Sequence, residues 1–428
     1  MSLISSTTHA LPALTKRWMR QNESKIRVFS FKDQLAHFRG RKRSSHEIHA
    51  YPAKLIPHIP YYFINNPNYT SEDAVIADFF CGSGTVLVEA SLAGHKSYGM
   101  DVNPLSVLIS KVKTTPLPKN TLEKQVEKLM RKINHDNDSP IPDFPNRDYW
   151  FTKTAVKKLS MLKEILDTTN FDKDCEDFFK VCLSSIIRSC SNADPRISPP
   201  VYSKRMKQYN LEGRRINVIK KFEESLKRNI LRVQSFSEVV NRELCHVSQS
   251  DSRNTKSSQI FDVVITSPPY VDAQKYMRSS KLELYWLGLD QKKYIALDRQ
   301  SIGTENISVP RHYRSNSDIY EISKLLDEIM SLNPERAFVL EKYLQDMEQV
   351  LNSVYRSLKK NGHFILIIGN NKMSGLRIPL DLCITKLAEN IGFEWNETLI
   401  DPIKTRGFMT KRSKTNLMDS ERIIDFQK

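Results

Sequence analysis

The apolar run at residues 74–80 is the clearest strand signal in the first half of the chain. The glycine-containing turn 81–84 ends this strand, and a helix is predicted to follow over 85–93. A second strand is predicted over 96–100. A strand, a turn, a helix and a second strand in this order are typical of an open α/β sheet with parallel strands.

The residues around the turn indicate a nucleoside ligand. Gly82 and Gly84 let the backbone approach a ligand, and Asp101, at the end of the second strand, can hold two ribose hydroxyls. Leu87 stands where a dinucleotide fingerprint has its third glycine. We therefore expect an adenosine-containing ligand without a pyrophosphate.

The second clear strand signal lies in residues 261–270, FDVVITSPPY. The apolar run 263–265 predicts a short buried strand, which the two prolines end because a proline cannot donate a hydrogen bond to a sheet. Each proline also fixes φ at about −65°, and the residue before it is disfavoured in a helix. The segment is therefore predicted to form a rigid corner at the carboxyl end of a strand, where ligands bind in open α/β sheets.

This corner suits the recognition of a planar base that carries an exocyclic amine. We expect the Ser267 hydroxyl and the Pro268 carbonyl to accept hydrogen bonds from the amine and so to make its nitrogen more nucleophilic. Tyr270 would stack on a base that has been flipped out of a duplex. For an isolated SPPY sequence, an ordinary turn at the end of a strand is the alternative interpretation.

Apolar residues at three- and four-residue spacing predict further helices in the rest of the chain. These helices are expected at 156–165, 178–186, 276–289 and 340–358, and two more strands at 363–368 and 422–426. The stretch 290–335 is expected to be a long loop, and 406–414 a basic loop that clamps the substrate backbone.

Composition narrows the classes of function. The chain has 428 residues and a formal net charge of +16, which favours a polyanionic partner such as nucleic acid. No run of 18 apolar residues occurs, so no membrane span is expected, and the first residues do not resemble a signal peptide. The six cysteines lack metal-ligand spacing, so we expect buried thiols in a reducing cytoplasm and no metal.

Five motifs together resemble those of S-adenosylmethionine-dependent DNA amino-methyltransferases that carry an SPPY catalytic motif. The sequence HEIHAYPAK at 46–54 is similar to the N-terminal cofactor motif, DFFCGSG at 78–84 to the glycine-loop motif and GMDVNP at 99–104 to the ribose-binding motif. SDSR at 250–253 resembles the motif whose acid contacts adenine, and TSPPY at 266–270 the catalytic motif. NADPRISPP, further along the chain, is associated with the same group more loosely.

The resemblance implies a Rossmann-like, seven-stranded α/β methyltransferase sheet with a mainly helical insertion. It implies S-adenosyl-L-methionine as cofactor, double-stranded DNA as substrate, and methyl transfer to the N4 amine of a flipped-out cytosine. A prokaryotic or phage modification system, with a cognate restriction endonuclease as partner, would fit this activity. The catalytic residues would be Ser267, Pro268, Pro269 and Tyr270, and the cofactor-binding residues Tyr51, Pro52, Lys54, Asp78, Cys81, Gly82, Gly84, Thr85, Asp101, Asn103 and Asp251.

We predict four regions. They are a basic N-terminal arm (1–45), a cofactor-binding part (46–115), a helical insertion (116–243) and a catalytic part (244–428). The insertion carries a run of basic residues, and beside a base-modifying site we expect it to contact DNA and read its sequence. A solvated helix face is the alternative interpretation of such a run. The DNA-binding candidates are Lys204, Arg205, Lys207, Arg214 and Arg215.

Other activities of this fold stay open or are disfavoured. Methylation of adenine N6 is the first alternative, because the same corner grips any exocyclic amine, although Ser267 replaces the acid more often seen in those enzymes. RNA base methylation is a weaker alternative, because those enzymes usually carry Asn at the position of Ser267. Carbon-5 methylation is disfavoured because no Pro-Cys pair occurs. A catalytically silent nucleic-acid-binding subunit is the alternative from another class.

Overall fold

The structure is a computed structural model that describes residues 10–40, 43–52, 54–134, 138–255, 258–271, 276–310, 313–314, 317–403 and 419–428. The strands are β1 (Ile26–Val28), β2 (Val75–Asp78), β3 (Lys96–Asp101), β4 (Cys245–Gln249), β5 (Phe261–Thr266), β6 (Leu358–Ile368), β7 (Lys372–Met373), β8 (Leu376–Arg377), β9 (Glu394–Pro402) and β10 (Ser420–Gln427). The helices are α1 (Ala10–Gln21), α2 (Phe31–Gln34), α3 (His58–Ile64), α4 (Thr85–Leu92), α5 (Pro104–Thr114), α6 (Lys119–Ile133), α7 (Arg147–Trp150), α8 (Lys153–Thr168), α9 (Lys173–Cys190), α10 (Lys204–Leu211), α11 (Val218–Ser237), α12 (Tyr276–Ser279), α13 (Lys281–Trp286), α14 (Gln291–Gln300), α15 (Tyr320–Leu332), α16 (Pro334–Ser357) and α17 (Leu380–Ile391).

The predicted α/β class is confirmed. Within the described residues, one sheet of eight strands has the order β1-β9-β10-β6-β5-β2-β3-β4, and β7 and β8 form a separate hairpin. All neighbours in the large sheet are parallel except β10, which is antiparallel to both β6 and β9. The sheet thus has one strand more than the seven predicted, because β1 adds to its edge beside β9.

The extra strand comes from the segment that was predicted to be a basic arm. Its Trp18 ring stacks on Trp395 with 5.2 Å between centroids, and the Lys25 ammonium donates to the Trp395 carbonyl at 2.6 Å. Trp18 is buried, so the described part of this segment belongs to the fold. An arm was expected because its polar and basic composition hides α1, β1 and α2, which are stabilised by packing against α15, pairing with β9 and packing against α3, respectively.

Helices cover both faces of the sheet. Along β6, Phe364, Leu366 and Ile368 pack in the core cluster that contains α16, whereas Ile365 and Ile367 pack in the cluster that contains α3 and α4. Because both faces are buried, the strand is a continuous apolar run rather than an alternation of apolar and polar residues.

The strand order creates a crevice at the carboxyl ends of β2 and β5. From β2 the chain continues outward to β3 and β4, and then returns to β5 on the opposite side of β2. The two strands pair in parallel, with Ile76 opposite Val263. A reversal of strand order of this kind opens a ligand site between the connections that leave the two strands.

The insertion is helical and shares a core with the sheet domain. Its helices α6 to α9 and α11 contribute to the same cluster as Leu105 and Ile109 of α5 and Trp286 of α13. The Asn229 amide in α11 also donates to the Ile48 carbonyl at 3.0 Å. The insertion is therefore attached to the cofactor segment through buried contacts.

The stretch 290–335, predicted to be a loop, contains α14 and α15. Helix α14 buries only Tyr294, so it lacks the apolar stripe that would have revealed it. Helix α15 does carry a stripe, and its spacing is visible in the sequence. The predicted helix over 276–289 is divided into α12 and α13 at Ser280. No helix in the described parts of the chain is long and apolar enough to cross a membrane.

Candidate active site

A cavity of about 420 Å³ lies at the carboxyl ends of β2, β3, β4 and β5. Each of these strands is followed by a segment that lines the cavity. The predicted site residues along its wall are Tyr51, Lys54, Asp78, Cys81, Gly82, Thr85, Asp101, Asn103, Asp251, Ser267 and Pro269. The predicted residues that are absent from the wall are Pro52, Gly84, Pro268 and Tyr270.

The two glycines of the turn after β2 have different tasks. Gly82 has a φ of 49°, and a Cβ atom built there would have no neighbour closer than 3.8 Å, so the backbone faces open cavity. Gly84 has a φ of 75°, and its Cβ would lie 2.9 Å from Ser110 Oγ. Gly84 therefore permits the close packing of α4 on α5, and Gly82 presents the backbone to a ligand.

Asp101 ties the turn to the end of β3. Its Oδ2 accepts a hydrogen bond from the Gly82 amide at 3.0 Å, and its Oδ1 accepts one from the Asn103 amide at 2.8 Å. Burial raises the pKa of Asp101 to about 6, against the opposing effect of these hydrogen bonds. Each oxygen keeps a second lone pair, so the carboxylate is still able to accept hydrogen bonds from a ligand.

Asp78 joins the ends of β2 and β5. The Thr266 hydroxyl donates to Asp78 Oδ1 at 2.6 Å, and the Phe80 amide donates to the same oxygen at 3.1 Å. Burial raises the pKa of Asp78 to about 7, while the bonds from Thr266 and Phe80 oppose the rise. The hydrogen bond between Thr266 and Asp78 therefore fixes the distance between the glycine turn and the proline corner.

Asn103 and Tyr51 form a buried polar contact beneath the cavity. Asn103 caps α5, because its Oδ1 accepts from the Leu105 amide at 3.0 Å. Its amide nitrogen donates to the Tyr51 hydroxyl at 3.2 Å, and the Ser106 hydroxyl donates to the same oxygen at 2.7 Å. Lys54 donates to the His49 carbonyl. Asn103 thus lines the cavity, but its side-chain oxygen caps α5.

The segment 43–49 is anchored by the buried carboxylate of Glu89. Glu89 of α4 accepts from Arg43 Nη1 at 2.6 Å and lies 2.6 Å from His46 Nε2. Burial lowers the pKa of His46, whereas the hydrogen bond to Glu89 works in the opposite direction. The cofactor motif therefore depends on the helix that follows the glycine turn.

Asp251 is held by its neighbour Arg253. Arg253 Nε donates to Asp251 Oδ1 at 3.0 Å, and Nη2 donates to Oδ2 at 2.6 Å. Burial alone would raise the pKa of Asp251, but the hydrogen bonds and charge of Arg253 lower it below its usual value. Arg253 also pairs with Asp346 at 2.9 Å and donates to the Gln300 carbonyl at 2.9 Å.

The proline corner presents Ser267 and Pro269 to the cavity, while Pro268 is buried. Among the described residues Ser267 Oγ has no hydrogen-bond partner. The Tyr270 ring packs against the core, and its hydroxyl donates to Glu421 Oε1 on β10 at 3.2 Å. The corner thus offers one free hydroxyl beside the glycine turn.

In the second wall of the cavity, only the part after α12 was missed by the sequence interpretation. This wall is formed by α12, by α14 and by the segment after it, and it includes Met277, Arg278, Tyr294, Asp298 and residues 300–306. Bonds from Arg253 to the Gln300 carbonyl and from Arg336 to Glu305, at 2.6 Å, hold this segment. These residues follow the corner by up to about 36 positions and carry no recognisable motif.

The DNA-binding candidates occupy different environments in the insertion. Lys204 and Lys207 are exposed on α10, and Arg215 is exposed after it. Arg214 is partly buried and donates to the Ser191 and Ser189 carbonyls at 3.0 and 3.1 Å. Arg214 thus supports a loop, and the others stay predictions. The basic loop predicted at 406–414 lies outside the described residues.

The described residues contain no group of three or more His, Cys, Asp or Glu side chains that could hold a metal ion. All six cysteines lie buried as free thiols. Cys81 lines the cavity, and burial, together with the charges of Asp101 and Asp78, raises its pKa well above the usual range.

Comparison with known proteins gives the class of this site. Residues 8–111 match a family model described as DNA methylase. The chain is 28% identical over 412 residues to the Type II methyltransferase M.MvaI of Kocuria varians, which covers 88% of this chain and 87% of the relative. It is 24% identical over 383 residues to the Type II methyltransferase M.BsoBI of Geobacillus stearothermophilus, covering 76% and 74%.

A solved S-adenosylmethionine-dependent methyltransferase from Methanosarcina mazei covers 84% of this chain and 95% of its own, at 10% identity and a TM-score of 0.31. That structural similarity is too low to support an assignment of function. The family model and the sequence relatives confirm the resemblance to DNA amino-methyltransferases and S-adenosylmethionine as the cofactor.

Proposed function

We propose that this protein transfers a methyl group from S-adenosylmethionine to the N4 amine of a cytosine flipped out of duplex DNA. One observation carries the proposal. The free hydroxyl of Ser267 opens into the same cavity as the Gly82 turn, Asp101 and Asp251. An amine acceptor and a nucleoside site therefore share one enclosed space, as direct transfer between two bound substrates requires.

The residues at the nucleoside end fit the cofactor. Gly82 leaves open space above its backbone, and Asp101 and Asp251 offer carboxylate oxygens to the ribose and the adenine. Tyr51 and Lys54 lie on the wall where the methionine part would extend. S-adenosylmethionine supplies an activated methyl group when bound. The protein contributes position and exclusion of water.

At the other end, the corner would polarise the target amine. The Ser267 hydroxyl would accept one hydrogen bond from the amine and direct the nitrogen lone pair along the line of attack. The Pro268 carbonyl is proposed to accept the second, although Pro268 is buried and does not line the cavity. Tyr270 is proposed to stack on the flipped base. Because the Tyr270 hydroxyl binds Glu421, Tyr270→Phe separates that bond from stacking, and Tyr270→Ala removes both.

The choice of an amine over a ring carbon is supported by Cys81. Carbon-5 methylation needs a thiolate nucleophile, and Cys81 is the cysteine that lines the cavity. Burial and two neighbouring carboxylates keep its pKa high and its thiol neutral. Cytosine is proposed over adenine because Ser267 is a neutral side chain at the corner. Adenine N6 stays the alternative base.

The names of the relatives suggest the biological setting. Both relatives are Type II methyltransferases, and we propose that this protein likewise modifies the target site of a restriction–modification system. A restriction endonuclease that reads the same sequence would be its functional counterpart. Sequencing host DNA by a method that reports modified bases would identify the site.

Single-turnover methyl transfer to duplex DNA, with the product nucleosides identified by mass, tests the proposal. N4-methylcytosine is the expected product, and N6-methyladenine would overturn the choice of base. Ser267→Ala should slow the transfer by about 10²–10³-fold, by analogy with the loss of one oxyanion-hole donor, at unchanged cofactor affinity. Ser331→Ala is the control, since its hydroxyl donates to the Glu328 carbonyl on the surface of α15. A Ser267→Ala enzyme as fast as the control would contradict the role of that hydroxyl.

A silent DNA-binding subunit is the remaining alternative. Titration calorimetry with S-adenosylmethionine distinguishes the two, because an enzyme must bind the cofactor and a silent scaffold need not. Binding without any methylated product would favour the silent subunit.

A further inference from the structure

The surface of the insertion carries three tyrosines, of which Tyr149 and Tyr202 are in contact. Tyr149 is 50% exposed and Tyr209 40% exposed, and the Tyr202 ring lies 5.4 Å from that of Tyr149, edge to face. Leu211, at the end of α10, is 83% exposed. Single exposed apolar residues are ordinary, but a cluster of them on one face marks an interaction site.

Cations lie over two of these rings. The Arg205 guanidinium is 4.7 Å from the centroid of Tyr209, and the Lys207 ammonium is 5.8 Å from that of Tyr202. We call Tyr149, Tyr202, Arg205, Lys207 and Tyr209 the aromatic–basic patch. A partner for this patch must offer both negative charge and flat or apolar groups. Nucleic acid offers both in its phosphates and its bases.

The acid next to the patch is already neutralised. The Asp194 carboxylate accepts from Arg196 at 3.0 and 2.8 Å and from the Ser203 hydroxyl at 2.7 Å, and its Oδ1 also lies 3.7 Å from Arg205 Nη1. These bonds, that of Arg196 above all, hold the pKa of Asp194 well below its usual range. The Asn210 amide donates to the Tyr202 hydroxyl at 2.6 Å and fixes that ring. The patch is therefore cationic and ordered.

The patch is continuous with the active site. The loop before α10, which contains Asp194, reaches α12 through Ser198, whose hydroxyl lies 3.3 Å from that of Ser279. In the same short helix, Met277 and Arg278 line the cavity. A molecule that lies on the patch thus extends toward the wall near the proline corner.

We propose that the aromatic–basic patch binds the DNA duplex beside the flipped-out base. This inference rests on the proposed function and deepens it. Lys207 would contact a backbone phosphate, and the tyrosine rings would pack on sugars and bases. Arg205 lies 3.7 Å from Asp194 Oδ1 and donates to the Tyr209 hydroxyl at 3.1 Å, so it would hold the Tyr209 ring in place. The basic residues alone were expected from the sequence. The tyrosines are the new part, and Arg214 is left out because backbone carbonyls already bind it.

The chain offers a matched control pair. On α15, the Lys324 ammonium lies 5.8 Å from the Tyr320 ring, which is 61% exposed. This pair has the same geometry as Lys207 with Tyr202, but its helix packs against α1 and α16 and away from the insertion. Tyr320→Ala and Lys324→Ala therefore report what the loss of an exposed tyrosine or lysine does by itself.

The experiment compares Tyr209→Ala, Tyr149→Ala and Lys207→Ala with this control pair. The probe is a labelled duplex that contains the sequence found methylated by the parent enzyme. Its Kd is measured by anisotropy over a salt series, together with the affinity for S-adenosylmethionine. Each tyrosine variant should raise the Kd for DNA by about tenfold with the salt slope unchanged. Lys207→Ala should reduce the slope by about one.

The control variants and the cofactor affinity should not change. Patch variants that bind DNA as tightly as the control pair, with the same salt slope, would overturn the proposal, and so would a loss confined to the binding of a protein partner. A parent enzyme that methylates no DNA would instead refute the proposed function. The two failures are thus distinguishable.

Discussion

The strongest test of the nucleoside site is Asp101→Asn. Both carboxylate oxygens already accept a backbone amide, from Gly82 and Asn103. An asparagine keeps one acceptor oxygen, and its amide nitrogen would face the other backbone donor. One bond that orders the turn is then lost, and the ribose loses a charged acceptor. A hydrogen bond to a charged group contributes about 1.5–3 kcal/mol, so cofactor affinity should fall by about 10- to 100-fold.

The pH dependence gives an independent check on the same residue. Because burial raises the pKa of Asp101 from 3.8 to about 6, the folded protein favours the protonated carboxyl. This group therefore contributes its full stability below about pH 4 and loses it as the pH rises through about 6. Cofactor binding has the opposite trend, since the ribose needs the ionised acceptor. Affinity should weaken as the pH falls below about 6 in the parent, and Asp101→Asn should lack this change.

The assay is titration calorimetry with S-adenosylmethionine at about pH 8 and about pH 5. Asp73→Asn is the control, because this substitution removes the same charge at an exposed residue just before β2. Asp78, whose pKa is about 7, titrates in the same window, so the comparison with Asp101→Asn identifies the group responsible. Equal affinity of the parent and Asp101→Asn at both pH values would remove Asp101 from the site.

Two further predictions concern stability, measured by urea unfolding. Thr266→Val leaves the buried Asp78 without its hydroxyl donor, so it should cost about 1–3 kcal/mol, most at pH above about 7, where Asp78 is ionised. Thr385→Val is its control, because that buried hydroxyl has no partner among the described residues, and an equal loss in both would refute the reasoning. Glu89→Ala leaves the buried His46 ring and the partly exposed Arg43 without their acceptor, so it should cost about 1–3 kcal/mol and weaken cofactor binding. Glu123→Ala, at an exposed helical pair, should cost less than about 0.5 kcal/mol, and a similar loss in Glu89→Ala would show that the contacts of Glu89 are not stabilising.

The cofactor turn and the proline corner could be predicted from the sequence because both depend on local chemistry. Gly82 adopts a positive φ that few other residues tolerate, and the prolines after Ser267 end a strand wherever they occur. The buried strands likewise carry their own apolar runs. Such signals extend over a few residues and need no knowledge of the rest of the chain. They were sufficient for the α/β class and for the position of the cavity.

The roles of individual residues inside those motifs were decided by the fold. Asn103 lies in the ribose-binding motif, yet its side chain caps α5. Gly84 permits helix packing instead of facing a ligand. Tyr270 binds Glu421, which lies 151 positions further along the chain. A motif gives the residue types, but the neighbours that each side chain meets are determined by how the strands are ordered.

Contacts between distant segments explain the rest of what the sequence alone did not reveal. Helix α14 is too polar to show an apolar stripe, and it lines the cavity because Arg253 and Arg336 hold the segment after it. Strand β1 forms because it pairs with β9, where the Arg27 side chain meets Glu397, 370 positions away. Such pairs leave no periodic pattern in either segment. The sequence by itself therefore determined the turns and strands that begin the site, and only the tertiary structure decided which distant segments complete it.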